Sequence, residues 1–284
     1  MTPLFYWLKN MKESLVSVII PTFNRSSMIK EALESVLVQD YRGFEIILVD
    51  DGSTDDTLEV LDAYKKDIRL LTQPNKGVSA ARNAGVACSN GDFLAFLDSD
   101  DTWLPEKLSE QVKFFNSNKD ALICQTQEKW IRNGVRVNQK NRHTKLSGMI
   151  FKASVSMCLV SPSAVMLKRS LFERMGGFDE RLPACEDYDL WLRIGCRHPV
   201  SLLNRELIIK RGGHDDQLSR APGLDKYRIQ SLVKIIKENI LSSDQEFVVK
   251  KVLKKKCEIY GNGCLKRGRR EEADYYLSLA VDVG

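Results

Sequence analysis

Three short apolar runs of this sequence are each followed directly by acidic or polar side chains. The runs and the segments after them are Val16–Ile20 before 21–25, Ile46–Val49 before 50–53, and Phe93–Leu97 before 98–101. In open α/β sheets, ligands bind at the carboxyl ends of the strands. If the runs are parallel strands, their polar ends meet at one edge of a sheet and form one binding site.

The segment 98–101 is the most acidic of the three, with Asp98, Asp100 and Asp101 within four residues. Aspartate and serine often cap a following helix, and Asp55 fits that role after the second run. Capping explains three clustered carboxylates poorly, because they repel one another unless a positive group is bound. Mg²⁺ and Mn²⁺ prefer oxygen ligands of this kind, so the segment predicts a divalent metal site.

A second group of acids, Glu186, Asp187 and Asp189, stands at the start of a predicted helix. Acids at a helix N-terminus interact favourably with the helix dipole, which is the ordinary interpretation. Three acids exceed what a cap requires, so a role beyond capping is expected for this segment. His214 follows two glycines. These glycines suggest a mobile loop that could close over a ligand, although a lone histidine is more often structural.

The elements that position these side chains alternate between strand and helix up to about Glu106. The predicted helices begin at Ser27, Asp55 (with Leu58, Leu61 and Tyr64 on one face), Ser79 and Leu104, and a further strand spans Ile68–Leu71. Helical spacing of the apolar residues and short β-branched runs support these assignments. Such alternation predicts a sheet of parallel strands covered by helices on both faces.

The second half is less regular. Its predicted strands are Ala121–Thr126, Val135–Val137, Ser161–Leu167 and Val200–Ile209, and its predicted helices are Ser170–Met175 and Asp187–Cys196. Beyond residue 222 the chain is predicted to be helical, ending in a hairpin over Cys257–Ala280 that turns near Gly268. We therefore divide the chain into a lead-in over 1–14, an α/β domain over 15–215 and a basic helical extension over 216–284.

Composition indicates a folded protein in a reducing compartment. Hydrophobic residues make up 43% of the 284 residues, which is enough for a core. The seven cysteines are odd in number and form no CxxC pair, which argues against a disulfide framework and a thiolate zinc site. No apolar run approaches the ~20 residues that a membrane helix requires, so a cytoplasmic protein is expected.

The net charge of +5 lies mostly in the last quarter of the chain, and residues 216–284 hold 14 Lys and Arg against 10 Asp and Glu. Five lysines crowd into 250–256. Such a run is usually a solvated helix face. The alternative is peripheral docking to an anionic membrane. Nucleic acid is not expected as a partner.

Four motifs occur in order with short spacings: VSVIIPTFNR, ILVDDGSTDDT, NKGVSAARNAG and FLDSDD. Together they closely resemble the N-terminal half of the family 2 glycosyltransferases, and the likeness extends from Val16 to about His214. The resemblance implies the GT-A fold, an α/β fold whose mostly parallel sheet is sandwiched by helices, here followed by a C-terminal helical extension. Asp98-Ser99-Asp100 matches the DxD motif of that fold.

The resemblance also implies roles for individual residues. The set that binds the nucleotide sugar is Pro21, Thr22, Asn24, Asp51, Arg82, Asp98 and Ser99. Within it, Asp51 is expected to bond the nucleobase, and Asp98 to face the ribose or donor sugar. The metal set is Asp100 and His214. The catalytic set is Asp187, which takes the acceptor proton, with Glu186 as the second choice.

These features predict a metal-dependent, inverting glycosyltransferase that uses Mn²⁺ or Mg²⁺ and a nucleotide diphosphate sugar. Inversion rests on the resemblance alone. A UDP-sugar is the first expectation, because Asp51 suits the imide of uracil or thymine. The expected acceptor is a hydroxyl of a glycan or lipid-linked glycan. The sequence contains no QxxRW motif, which favours non-processive transfer of single sugars.

Other classes are weighed against this one. A P-loop NTPase and a dinucleotide oxidoreductase are disfavoured, because their glycine-rich signatures do not occur. A GT-A-like nucleotidyltransferase would carry a glycine-rich basic loop after the first strand, and 21–25 has no glycine. A non-catalytic nucleotide-sugar binder or scaffold would be favoured if Asp100 or Asp187 were missing, and both are present.

Overall fold

The computed structural model describes residues 14–213 and 221–282 of the chain. These residues contain nine strands, all in one sheet. The strands are β1 (Val16–Thr22), β2 (Phe44–Asp50), β3 (Arg69–Thr72), β4 (Phe93–Phe96), β5 (Thr102–Trp103), β6 (Ile123–Arg132), β7 (Val135–Val137), β8 (Val165–Lys168) and β9 (Ser201–Gly212). Almost all of the predicted lead-in lies outside the described residues, and so does His214.

Ten α-helices lie in the same described ranges, some flanking the sheet and others following it in the chain. They are α1 (Ser26–Leu37), α2 (Thr57–Asp62), α3 (Val78–Ala87), α4 (Lys107–Ser117), α5 (Phe151–Ser154), α6 (Arg169–Arg174), α7 (Glu186–Gly195), α8 (Leu224–Lys237), α9 (Ser243–Lys266) and α10 (Arg270–Asp282). None of these helices combines the length and the apolar character that crossing a bilayer requires.

The strand order is β3-β2-β1-β4-β8-β6-β9-β5, and β7 pairs with β6. Strands β1 to β4 pair in parallel, as the short strand–helix–strand spacing predicts. The antiparallel β8 turns the sheet from the first half to the second, where β6 and β9 are again parallel to each other. Six of the nine described strands thus run in one direction, and the predicted mostly parallel α/β fold is confirmed.

The continuous apolar run of β1 is explained by burial on both faces of the sheet. Successive side chains of a strand point to opposite faces. Accordingly, Val18 and Ile20 pack in one buried cluster with the inner side of α1. Ile19, between them, packs with Ile47 and Phe96 in the cluster on the other face. Both faces of β1 are therefore packed against apolar side chains between Val18 and Ile20, and the polar residues that follow the strand stand at its carboxyl end.

The C-terminal helices share a third buried cluster with the α/β part of the chain. Tyr188 and Leu192 of α7 pack there with Ile229 of α8, Leu253 of α9 and Tyr276 of α10. The division at residue 215 stays a prediction, but the helices beyond it are packed against the helix that carries the second group of acids.

Two predicted boundaries differ from the structure, and proline accounts for both. The residue before proline avoids the helical region, and Leu104 precedes Pro105, so the helix predicted from Leu104 begins at Lys107 instead. The predicted strand from Ser161 starts with a 3₁₀ turn over Pro162–Ala164, because proline cannot donate to a strand ladder.

Two further predicted boundaries also differ. The helix after Asp55 ends at Asp62 and leaves Leu58 partly exposed. The final hairpin turns near Gly268 as predicted, and this glycine has a φ of +74°. Cys257, however, lies well inside α9 rather than at the start of a hairpin helix.

Candidate active site

The three acids that follow β4 come together. Carboxylate oxygens of Asp98, Asp100 and Asp101 all lie within 4.8 Å of one another. Asp101 is 1% exposed and held in place, because its Oδ2 accepts from Ser163 Oγ at 2.6 Å and its Oδ1 from the Arg211 amide at 3.0 Å. Burial, reinforced by its acidic neighbours and opposed by Lys210, raises the pKa of Asp101 to about 8.

This acidic triad fits a hard divalent cation. Its ligand atoms are carboxylate oxygens, and their mutual repulsion would be relieved by the positive charge. The triad includes the predicted metal residue Asp100 and joins Asp98 and the buried Asp101 to it. The predicted contribution of His214 lies outside the described residues.

Arg82 connects the two groups of acids that the sequence separates by almost ninety residues. Its guanidinium bonds Asp98 Oδ1 at 2.6 Å and Glu186 Oε1 at 2.5 Å, and its side chain is 4% exposed. Burial alone would lower the pKa of Arg82, but the two carboxylates outweigh it and raise the pKa. The guanidinium also lies over the ring of Phe178. The guanidinium of Arg82 is therefore bonded to one acid from each of the two groups.

The small residues of α3 explain how Arg82 reaches this position. A Cβ on Gly85 would lie 2.6 Å from Ile19 Cγ2, which is closer than packed atoms allow. Apart from Arg82 and Val86, the other buried residues of α3 are two alanines and a serine, so the helix lies close against the sheet. A larger side chain at Gly85 would push α3 away from β1 and move Arg82 from its partners.

At the start of α7 the three acids have different partners. Glu186 bonds Arg82, and Asp189 Oδ2 accepts from Arg193 Nε at 2.8 Å and from Lys234 Nζ at 3.0 Å. Burial raises the pKa of Glu186 although Arg82 opposes the shift. Capping and dipole effects therefore account for only part of this acidic group.

Asp187, the third acid at the start of α7, is half-buried and pairs with no cation among the described residues. Its Oδ1 accepts from the amide of Tyr188 at 2.7 Å, and its Oδ2 accepts from Cys158 Sγ at 3.5 Å. Cys185, the residue before α7, has a left-handed backbone with a φ of 61°. Of the two predicted catalytic residues, Asp187 is the one whose carboxylate is not engaged by an arginine.

The predicted nucleobase residue, Asp51, holds a loop in the structure. Its carboxylate accepts from Gln73 Nε2 at 2.7 Å and from the amides of Lys76 and Gly77 at 2.9 and 2.8 Å. A carboxylate has about four acceptor positions, so one remains for a ligand. Asp51 thereby fixes the segment that leads into α3.

The other predicted donor-site residues lie around the ends of β1, β2 and β4. Asn24, with a φ of 51°, accepts from the amide of Thr54 at 2.8 Å. Pro21 and Thr22 are buried in β1, where Thr22 pairs with Asp50 of β2, and Ser99 is buried beside the acidic triad. Thr22 Oγ1 and Asp50 Oδ1 are buried without a hydrogen-bond partner among the described residues. Buried polar atoms are rarely unpaired, so Asp50 is an additional candidate for ligand contact.

The sequence gives no indication of a group of three charged residues, of which Lys210 lies beside the acidic triad. Lys145 Nζ lies 2.9 Å from Glu128 Oε1, and both side chains are 4% exposed. Lys210 Nζ donates to Ser161 Oγ at 3.1 Å. Burial would raise the pKa of Glu128, but Lys145 and Lys210 lower it to about 2. These residues come from β6, a loop and β9, and only the pairing of β6 with β9 brings them together.

Known proteins share this architecture. The model of the family Glycosyl transferase family 2 matches residues 17–176. An uncharacterized glycosyltransferase of Rickettsia felis is 35% identical over 203 residues, which cover 69% of this chain and 32% of that protein. The chain thus spans about a third of the length of that relative.

Two further matches each cover more than two thirds of both chains that are compared. The Escherichia coli UDP-Glc:alpha-D-GlcNAc-diphosphoundecaprenol beta-1,3-glucosyltransferase WfgD is 33% identical over 196 residues, covering 68% of this chain and 75% of WfgD. The structure of S. aureus TarS 1–349 in complex with UDP-GlcNAc matches 93% of this chain and 79% of its own, with a TM-score of 0.71 and 22% identity. The TarS likeness shows a shared fold. Because the family model matches more than half of the chain, the protein belongs to glycosyl transferase family 2.

Proposed function

We propose that this protein is a metal-dependent, inverting and non-processive glycosyltransferase. Its donor is a nucleotide diphosphate sugar, with a UDP-sugar first, and its acceptor is a hydroxyl of a glycan or lipid-linked glycan at the cytoplasmic side of the membrane. The name of WfgD supports a UDP-sugar and a diphosphoundecaprenol-linked acceptor, and TarS has been solved with UDP-GlcNAc.

The observation that carries this proposal is the double ion pair of Arg82. Its guanidinium bonds Asp98 and Glu186 at 2.6 and 2.5 Å, so the DxD motif and the acidic start of α7 belong to one site. A glycosyl transfer needs a donor-binding group and a proton acceptor at the same place. Arg82 would bring a donor bound at the DxD motif and a proton acceptor on α7 to one place, which supports transfer over binding alone.

In the proposed mechanism, Asp187 accepts the proton of the acceptor hydroxyl. Glu186 and Asp189 are held by Arg82 and by Arg193 with Lys234, which leaves Asp187 as the carboxylate able to face a substrate. The acceptor oxygen forms a bond to the anomeric carbon as the bond from that carbon to the diphosphate oxygen breaks. The electron pair of the broken bond leaves with the nucleoside diphosphate, and a single displacement inverts the anomeric centre.

Asp98, Asp100 and Asp101 would hold a divalent metal, Mn²⁺ or Mg²⁺, at the end of β4. When bound, such an ion supplies a Lewis acid that neutralises charge on the leaving phosphate. The chain contributes the fixed geometry of the three carboxylates, because Ser163 and the Arg211 amide prevent Asp101 from turning away.

Donor hydrolysis and thermal stabilisation across a panel of nucleotide sugars, with and without Mn²⁺, test this proposal. We expect one donor to stabilise the intact protein only when Mn²⁺ is present, and Asp100→Ala to abolish that response. No response of the intact protein to any donor would favour a scaffold function instead. A response that Asp100→Ala retains would contradict the metal site while leaving nucleotide-sugar binding in place.

A further inference from the structure

Lys210 on β9 is a charged side chain whose position the proposed mechanism does not yet use. It is half-buried, and its ammonium has one hydrogen-bond partner among the described residues, Ser161 Oγ at 3.1 Å. No described carboxylate lies within the 4.0 Å of an ion pair. Lys145 differs, because its ammonium is neutralised by Glu128 at 2.9 Å. Lys210 therefore keeps hydrogen-bond donors that the described protein groups do not occupy.

Hydrogen bonds of its neighbour Arg211 and of its own side chain hold Lys210 beside the acidic triad. The next residue, Arg211, donates its amide to Asp101 Oδ1 at 3.0 Å and its Nε to the Asp100 carbonyl at 2.6 Å. The partner of the ammonium, Ser161, lies two residues before Ser163, whose hydroxyl bonds Asp101 at 2.6 Å. The backbone and the side chain of Lys210 are thus both fixed next to the end of β4.

The charge of Lys210 is maintained by its surroundings. Burial would lower the pKa of its ammonium, but Glu128 and the three carboxylates of the triad outweigh burial and raise the pKa. A cation that is close to several carboxylates without contacting any of them has no complete partner within the described protein. Lysine is a compact point charge and a common ligand of phosphate groups.

We propose that Lys210 is a donor-binding residue whose ammonium contacts the diphosphate of the nucleotide sugar. The inference rests on the proposed function, because it needs a diphosphate in this site. The triad and Lys210 then have different roles in binding the donor. The carboxylates bind the divalent cation, and Lys210 supplies a fixed positive charge that stays in the protein when the cation leaves.

If Lys210 has this role, removal of its charge should have opposite effects on the binding of UDP and of Mn²⁺. The ammonium attracts the diphosphate, so removal of its charge should weaken UDP binding about 10- to 100-fold, as for other hydrogen bonds to charged groups. The same ammonium repels a divalent cation at the triad. Its removal should therefore leave Mn²⁺ binding unchanged or tighten it by up to about 10-fold. A purely structural lysine would weaken both ligands together when it is replaced.

The test compares Lys210→Gln, Lys210→Met and Lys210→Arg with the intact protein. Glutamine keeps a donor for Ser161 without the charge, and arginine keeps the charge. Lys129→Met is the matched control, because Lys129 lies on the adjacent β6 and alternation directs its side chain to the other face of the sheet. Titration calorimetry measures UDP binding at saturating Mn²⁺, and electron paramagnetic resonance measures binding of Mn²⁺ alone.

We expect Lys210→Gln to lose UDP affinity without losing Mn²⁺ affinity, and Lys210→Arg and Lys129→Met to stay within about 3-fold of the intact protein. Thermal melting verifies that each variant is folded, and Lys210→Gln decides if Lys210→Met does not fold. Equal UDP affinity in Lys210→Gln, or a parallel loss of UDP and Mn²⁺, would overturn the inference. If the intact protein binds neither UDP nor GDP, the failure lies in the proposed function itself.

Discussion

The segments 98–101 and 186–189 each hold three acidic residues within four positions, yet the protein uses them differently. In the first, carboxylate oxygens of all three acids lie within 4.8 Å of one another. In the second, Glu186 pairs with Arg82, Asp189 pairs with Arg193 and Lys234, and Asp187 contacts the thiol of Cys158. One segment concentrates negative charge and the other distributes it.

The backbone explains the difference. Segment 98–101 is an irregular connection between β4 and β5, where successive side chains can turn toward one point. Segment 186–189 is the first turn of α7, and each residue of a helix is rotated about 100° from the last. Three acids on a helix therefore point to three different neighbours. In this protein the acids of the loop therefore lie together, whereas the acids of the helix have separate partners.

The largest effect that this comparison predicts concerns the concentrated acids. Removing Mn²⁺ with a chelator, or the change Asp100→Asn, should lower donor turnover by about 10³- to 10⁴-fold, because a charge on the leaving phosphate is then uncompensated. Initial rates of donor hydrolysis measure the effect. Asp120→Asn, an exposed acid before β6, is the matched control and should keep full activity. Full activity of Asp100→Asn would refute the shared metal site.

Substitutions of the acids on α7 should affect either catalysis or stability, depending on the residue that is changed. Asp187→Asn should lower transfer about 10²- to 10³-fold with little change in UDP binding or melting temperature, because it removes a proton acceptor. Asp189→Asn should instead cost about 3 kcal/mol of unfolding free energy, because Arg193 and Lys234 lose a buried partner. Transfer assays measure the activity of both variants, and urea unfolding measures their stability. Similar stability losses in both would show that α7 acts as one structural unit.

Glu128 differs from the acids of the triad, because its negative charge is neutralised by a side chain of the protein, Lys145. Its folded pKa of about 2 lies below the ordinary 4.5, so its stabilising contribution is complete above pH 4.5 and is lost as the pH falls toward 2. The change Glu128→Gln should therefore destabilise the protein most at neutral pH, by about 3 kcal/mol.

Urea unfolding of the intact protein and of Glu128→Gln at pH 7, 4 and 3 measures this difference. The gap between the two proteins should narrow steadily as the pH falls. A gap that stayed constant with pH would mean that the Lys145–Glu128 pair contributes through packing rather than through charge.

The smallest effect concerns a cluster of like charges that is exposed rather than buried. On α9, Lys250 pairs with Glu246 and Lys256 with Asp225, while Lys254 and Lys255 are exposed. Membrane docking predicts that co-sedimentation requires anionic vesicles, weakens with salt and falls about 30-fold in Lys254→Glu/Lys255→Glu, because each lysine contributes about 1 kcal/mol.

The control for this last prediction makes the same charge change elsewhere, at the exposed Lys65 and Lys66. Equal losses in both double variants would reflect net charge rather than a docking face. No co-sedimentation at all, or equal binding to neutral vesicles, would favour the solvated helix face.

Local pattern was sufficient for the first half of the fold. β-branched runs such as Ile46–Val49 are short, are buried on both faces and end in polar residues, so their parallel pairing and the position of the site followed directly. Prediction was weaker where a local rule competed with the pattern. Pro105 and Pro162 moved two predicted boundaries by a few residues, and the antiparallel β8 has no local feature that gives its direction.

The sequence by itself determined the family and the α/β class, and it supplied the acids of the candidate site, because these depend on residue order and on the periodicity of apolar side chains. Only the tertiary structure decided how the charges are paired. Arg82 bonds Asp98 and Glu186, and Lys210 stands beside the triad with the neutralised Lys145 nearby. Electrostatic energy depends on distance in space and on burial, and neither can be obtained from separation along the chain.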